Sequence, residues 1–272
     1  MRVVAVLLAV VALAGCGGTD QEEQATTVVA TFYPLAWAAE QIGGDDAHVV
    51  NLTPAGAEPH DIELSPRDVD AVRDADLVVY VGSGFQSAVE DAIAQRDGPS
   101  LEVSGGDRDP HVWLDPVRFG AIAEEIGDAL GRPEAGRELA RRLQGLNGDF
   151  AAGLEHCAHR TLVTTHAAFA HLAARYGLTQ MSLAGRSPEA EPGPRELERL
   201  VDEVRESRAT TVLAEPLVSS RLAETVAREA GTKVAVLDPI EGLTEEQLAD
   251  GEDYLSVMRR NLSTLQEALG CE

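Results

Sequence analysis

After residue 27, short apolar and β-branched runs take turns with longer stretches in which apolar residues recur every three or four positions. "VVATF" precedes "PLAWAAEQIG", "HVVNL" precedes "SPRDVDAVRDA", "DLVVYVG" precedes "FQSAVEDAIAQ", and a weaker "SLEVS" follows. Alternation of this kind predicts βα units, and near-continuous apolar strands separated by helices predict a parallel sheet covered on both faces. The rhythm stops between Pro116 and Cys157, where two helical stretches are separated by "GRPE". In the second, Leu139, Leu143, Leu146, Phe150, Leu154 and Cys157 follow steps of four and three. They draw one apolar stripe along roughly 30 Å of helix at about 1.5 Å per residue, long enough to bridge two lobes.

From Arg160 the rhythm resumes with "TLVTTH", "LTQMSL", "TTVLAEP" and "KVAVLDPI", each followed by a helical stretch. The expected fold is α/β, with two lobes, each a roughly four-stranded parallel sheet flanked by helices, joined by a long bridging helix. The expected boundaries are an N-terminal lobe over 28–115, a helical segment over 116–158 and a C-terminal lobe over 159–272. Ligands of open α/β sheets bind beyond the carboxyl ends of the strands, so the crevice between the lobes is the expected site.

The start of the chain has a different character. Arg2 is followed by an apolar run from Val3 to Leu13 and then "LAGC", ending at Cys16. The run is too short for a permanent membrane helix and reads as a signal peptide over 1–15. A small-residue run ending in cysteine resembles a lipobox, which makes Cys16 the lipidated N-terminus and the polar stretch 16–27 a tether. With Cys16 so used, Cys157 and Cys271 are left in an oxidising compartment and are expected to form a disulfide.

Charge narrows the function classes. The 272 residues include 22 basic and 46 acidic ones, a formal charge of −24, which argues against nucleic acid or an anionic lipid surface as partner. An acidic surface attracts small cations. With aromatic residues at only 4%, a broad aromatic cleft for a chelated metal is the weakest alternative.

The seven histidines are unevenly useful. His60 and His111 each follow an acid and a proline, in "EPH" and "DPH", and His166 ends "TLVTTH". Glu215 and Asp238 stand at the ends of two further predicted strands. Three imidazoles and a carboxylate at equivalent strand ends are the donors of a divalent first-row metal, and such a set fills a tetrahedron around zinc. Proline fixes its own φ and holds the preceding residue extended, so each acid-Pro-His is a stiff arm. Glu58 and Asp109 are candidates to accept the second ring N–H of a liganding histidine. Glu215 is either a ligand or such an acceptor, the acceptor being preferred. His48, His156 and His159 read as surface residues and His171 as packing or surface.

Taken together, "PAGAEPHDIELSPRDV", "DPHVWLDP", "TTHAAFAHLAARYGL", "AEP" and "LDPI", behind a lipobox, resemble the ZnuA/TroA-type zinc and manganese solute-binding lipoproteins of ABC importers. The resemblance implies that His60, His111, His166 and Asp238 hold the metal. It implies a monomeric receptor, not an enzyme, anchored outside the cytoplasm by its lipid and handing its ion to a membrane permease driven by an ATPase. Zn²⁺ is the expected ion, with Mn²⁺ or Fe²⁺ as the alternative, because in that family the position of His166 is histidine in zinc-type and glutamate in manganese-type members. The chain departs from many zinc-type members in that "QRDGPSLEVSGGDRD" contains no histidine, so a metal-collecting loop is not expected there. The competing class is a secreted zinc-dependent hydrolase with Asp238 as base; it needs an open coordination position, commonly on an H-E-x-x-H helix, and that motif does not occur.

Overall fold

The computed structural model describes residues 25–185 and 192–272. The expected signal segment, Cys16 and the tether as far as residue 24 lie outside the described residues.

Two parallel four-stranded sheets form the frame. The first contains β1 (Thr26–Ala30), β2 (Ala47–Asn51), β3 (Leu77–Tyr80) and β4 (Ser100–Glu102), in the order β2-β1-β3-β4. The second contains β5 (Thr161–Thr164), β6 (Thr179–Ser182), β7 (Thr211–Ala214) and β8 (Lys233–Val236), in the order β6-β5-β7-β8. Each sheet thus reverses its winding beside its first strand, and that is where an open α/β sheet leaves a crevice. Val28, Val29 and Ala30 of β1 are fully buried, as the continuous apolar run requires of a strand covered on both faces.

Helices α1 (Tyr33–Gly43), α2 (Pro66–Asp74) and α3 (Ser87–Ile93) belong to the first lobe. Their starts are written locally: α2 has proline in its first turn, and Ser65 and Asp68 form a reciprocal capping box ahead of it. The second lobe carries α6 (Ala170–Arg175), α7 (Pro194–Ser207), α8 (Arg221–Ala230), α9 (Glu245–Ala249) and α10 (Tyr254–Leu269).

Between the lobes, α4 (Pro116–Ala129) and α5 (Pro133–Gly153) pack along each other. Gly127 and Gly136 permit their close approach, since a Cβ on Gly127 would stand 2.9 Å from the Cα of Gly136. The apolar stripe of α5 is buried as its spacing demands: Leu139, Leu143, Leu146 and Phe150 are all 2% exposed or less. The helix ends earlier than its stripe. Gly153 is its last residue, the Leu154 carbonyl turns to accept the Arg160 guanidinium, and Cys157 lies beyond, joined by a disulfide to Cys271.

α5 touches both α1 and α10, and a single apolar core runs from Val28 of the first sheet through α4 and α5 to Leu269 of α10. The two lobes therefore share their main core. Among the described residues no helix is long and apolar enough to cross a membrane.

Candidate metal centre

The carboxyl ends of the two sheets face each other across the crevice, and the three strand-end histidines meet there. One nitrogen each from His60, His111 and His166 and one oxygen of Glu241 lie within 4.8 Å of one another. Glu241 Oε1 is 3.2 Å from His60 Nε2, 3.1 Å from His111 Nε2 and 3.3 Å from His166 Nε2, while the last two nitrogens are 3.4 Å apart. Donors placed tetrahedrally about 2.0–2.1 Å from a zinc ion would be separated by about 3.3–3.4 Å. The four observed separations sit close to that spacing.

The two acid-Pro-His arms act differently. Asp109 accepts from its histidine's ring, Oδ1 to His111 Nδ1 at 2.7 Å, and from the His111 backbone at 3.2 Å. This fixes the ring and turns Nε2 to the centre. Glu58 instead accepts the backbone N–H of His60, at 3.2 Å from either oxygen. The His60 ring is positioned by packing edge-on against Phe85, with centroids 4.5 Å apart. On the far side, Glu215 Oε2 lies 2.6 Å from His166 Nδ1, an ion-pair contact rather than an aligned hydrogen bond. The other Glu215 oxygen accepts from the His166 backbone at 3.1 Å and from the Thr165 hydroxyl. Glu215 is thus placed behind His166, away from the centre where Glu241 stands.

The electrostatics follow from the close packing of three imidazoles and the Glu241 carboxylate. Burial alone would raise the Glu241 carboxyl, but bonds from His111, His166 and His60 take it well below the usual carboxylate range. Burial would lower His166, yet Glu215 and Glu241 push it up to about 10. His111 is raised in the same way by Asp109 and Glu241, against the opposing effect of burial. The nearby carboxylates favour protons on the imidazoles, and a bound cation would take the place of those protons.

Asp238, expected to be the fourth ligand, is placed elsewhere. Its Oδ1 accepts the Ile240 N–H at 2.8 Å and its Oδ2 accepts from Gln247 Nε2 at 2.9 Å. Burial raises its carboxyl to about 6, with Gln247 and the Ile240 N–H opposing. Glu241, three residues further along "LDPIEGL", takes the place among the imidazoles; it was missed in favour of Asp238, the first acid after the strand. An acid set between Ile240 and Leu243 in an apolar loop was the available signal. His171, read as packing or surface, is 11% exposed and donates through Nε2 to the Asp109 carbonyl at 3.1 Å, bracing the His111 arm from α6.

Comparison with known proteins places the chain among zinc-binding relatives. Residues 28–268 match the family model described as ZnuA, zinc-uptake complex component A, periplasmic. The zinc-binding lipoprotein AdcA of Streptococcus pneumoniae is 34% identical over 290 residues, covering 94% of this chain but 58% of that protein. The chain therefore spans little more than half the length of the AdcA relatives it matches. The high-affinity zinc uptake system protein ZnuA of Bacillus subtilis is 30% identical over 93% of this chain and 90% of its own length. Among solved structures, the Zn(II)-bound ZnuA-like domain of S. pneumoniae AdcA superimposes with a TM-score of 0.77 at 35% identity, covering 90% of this chain and 99% of that one. The laminin-binding protein Lmb of Streptococcus agalactiae gives 0.79 at 32% identity with the same coverage.

Proposed function

The chain belongs to the ZnuA family, and on that premise we propose that it is an extracytoplasmic receptor that binds one Zn²⁺ and delivers it to an ABC importer. His60, His111, His166 and Glu241 are the ligands in this reading. The observation that carries it is the convergence of three imidazole nitrogens and one carboxylate oxygen within 4.8 Å of one another, four of their separations being 3.1–3.4 Å. Three nitrogen donors favour zinc over Mn²⁺, which prefers harder oxygen donors and higher coordination, and zinc also lies above manganese in the Irving–Williams order.

Delivery to a permease and its ATPase follows from the family, and attachment to the membrane through a lipid on Cys16 follows from "LAGC" together with the lipoprotein relatives. Four protein donors leave no coordination position for a water nucleophile, so the site suits capture and release rather than hydrolysis.

Metal analysis of protein purified without added metal, followed by chelator competition, tests the proposal. One zinc per chain is expected, with much weaker Mn²⁺ binding. Mn²⁺ binding equal to or tighter than that of Zn²⁺ would overturn it.

A further inference from the structure

Glu241 is brought to the histidines by a loop whose backbone takes an unfavourable shape. Ile240, immediately before it, has φ of +55°, a left-handed conformation that a β-branched residue rarely adopts. Strain of this kind persists only where the surroundings over-determine it. Here each of the preceding residues is held. Asn261 on α10, 1% exposed, receives the Asp238 N–H on its Oδ1 at 2.9 Å and donates from Nδ2 to the Asp238 carbonyl at 2.6 Å. Pro239 has a fixed φ, and its carbonyl accepts from Trp113 Nε1 at 2.8 Å. The Asp238 carboxylate closes the turn by accepting the Ile240 N–H and is itself held by Gln247.

We propose that Asn261 and Asp238 are positioning residues of the metal site, clamping the loop in its strained form so that Glu241 stands against the three imidazoles. Their contribution is made through Glu241 and rests on the reading of that residue as a ligand. The clamp reaches the site from two sides, since Asn261 lies on the helix that packs against α5 and Trp113 lies two residues beyond His111. Without it, Ile240 relaxes towards negative φ and swings the next residue's side chain from the centre.

The test is a double-mutant cycle on Zn²⁺ affinity, read by chelator competition with the full chain. Asn261→Ala is expected to weaken zinc binding about 10–100-fold, the usual effect of losing a residue that orients a ligand. In a Glu241→Ala background the same change is expected to have little further effect, because the group through which it acts is gone. Adding Ile240→Gly to Asn261→Ala is expected to recover part of the loss, as glycine takes positive φ without strain. If Asn261→Ala does not fold, Asn261→Asp keeps the acceptor for the Asp238 N–H and loses the donor to its carbonyl, and enters the same cycle. Equal losses in both backgrounds, or none in either while Glu241→Ala still weakens binding, would overturn the positioning role and leave the ligand assignment standing. Undiminished zinc binding by Glu241→Ala would overturn the ligand assignment itself.

Discussion

The candidate metal centre has an enclosed back and a more open front. At the back, His111 and His166 are 0% exposed, and each has a carboxylate against its Nδ1, from Asp109 and Glu215. At the front, His60 is 12% exposed and rides on a loop that reaches the opposite lobe through one backbone bond, Gly56 N–H to the Leu243 carbonyl at 2.9 Å. Among the described residues only the two back imidazoles have a carboxylate on Nδ1. The contrast lies in how the imidazoles are held: two are fully enclosed with a carboxylate behind each, while the third rests edge-on against Phe85 at the solvent side. In the proposed receptor, orientation before binding would lower the cost of capture, and the more exposed ligand is the one through which release would start.

Breaking the back should have the largest effect. Structural zinc sites bind with about 10–16 kcal/mol shared over four ligands, so each ligand is worth roughly 10²–10³-fold in affinity. His111→Ala together with His166→Ala is expected to abolish binding measurable by chelator competition. Acid should act on the same pair. Glu215 and Glu241 push His166 up to about 10, so protons compete with zinc for it through the neutral range. The sign is fixed by this exchange: affinity falls as pH falls, by about tenfold per unit for each proton displaced, or on the order of 10³ between pH 8 and pH 5. A flat titration over that range would contradict the three-imidazole site.

His60→Ala, at the front, is expected to cost about 10²-fold, the lower end for a ligand, and stopped-flow release into excess chelator should show it mainly as faster dissociation. The smallest effect is expected for Glu215→Gln, which removes a charge behind His166 and leaves the ligands in place. A loss of about tenfold is expected, read by the same competition. If Glu215→Gln weakened binding more than His60→Ala, the division into an enclosed back and a more open front would not govern affinity.

Much of this was legible in the chain. Every predicted strand is present, most of them apolar runs bounded by turns, and the three histidines were visible in or just beyond the segments that follow predicted strands. The end of α5 was not, because the stripe continues through Leu154 and Cys157 while Gly153 and the Arg160 side chain turn the backbone away. Nor was the choice between Asp238 and Glu241. Both acids lie in one short loop, and its conformation is set by Asn261, twenty-three positions away, by Trp113, in the other half of the chain, and by a left-handed Ile240. Periodicity reports which face of an element is buried, and it has no means of reporting a loop held by long-range hydrogen bonds.

The most direct measurement of the central claim is a crystal structure of the zinc-loaded protein with anomalous scattering recorded at the zinc edge. The account predicts a single ion bound by Nε2 of His60, His111 and His166 and by a carboxylate oxygen of Glu241, at about 2.0–2.2 Å each, with Asp238 still bonded to Ile240 and Gln247. An ion coordinated by Asp238, or one bound away from these histidines, would contradict it.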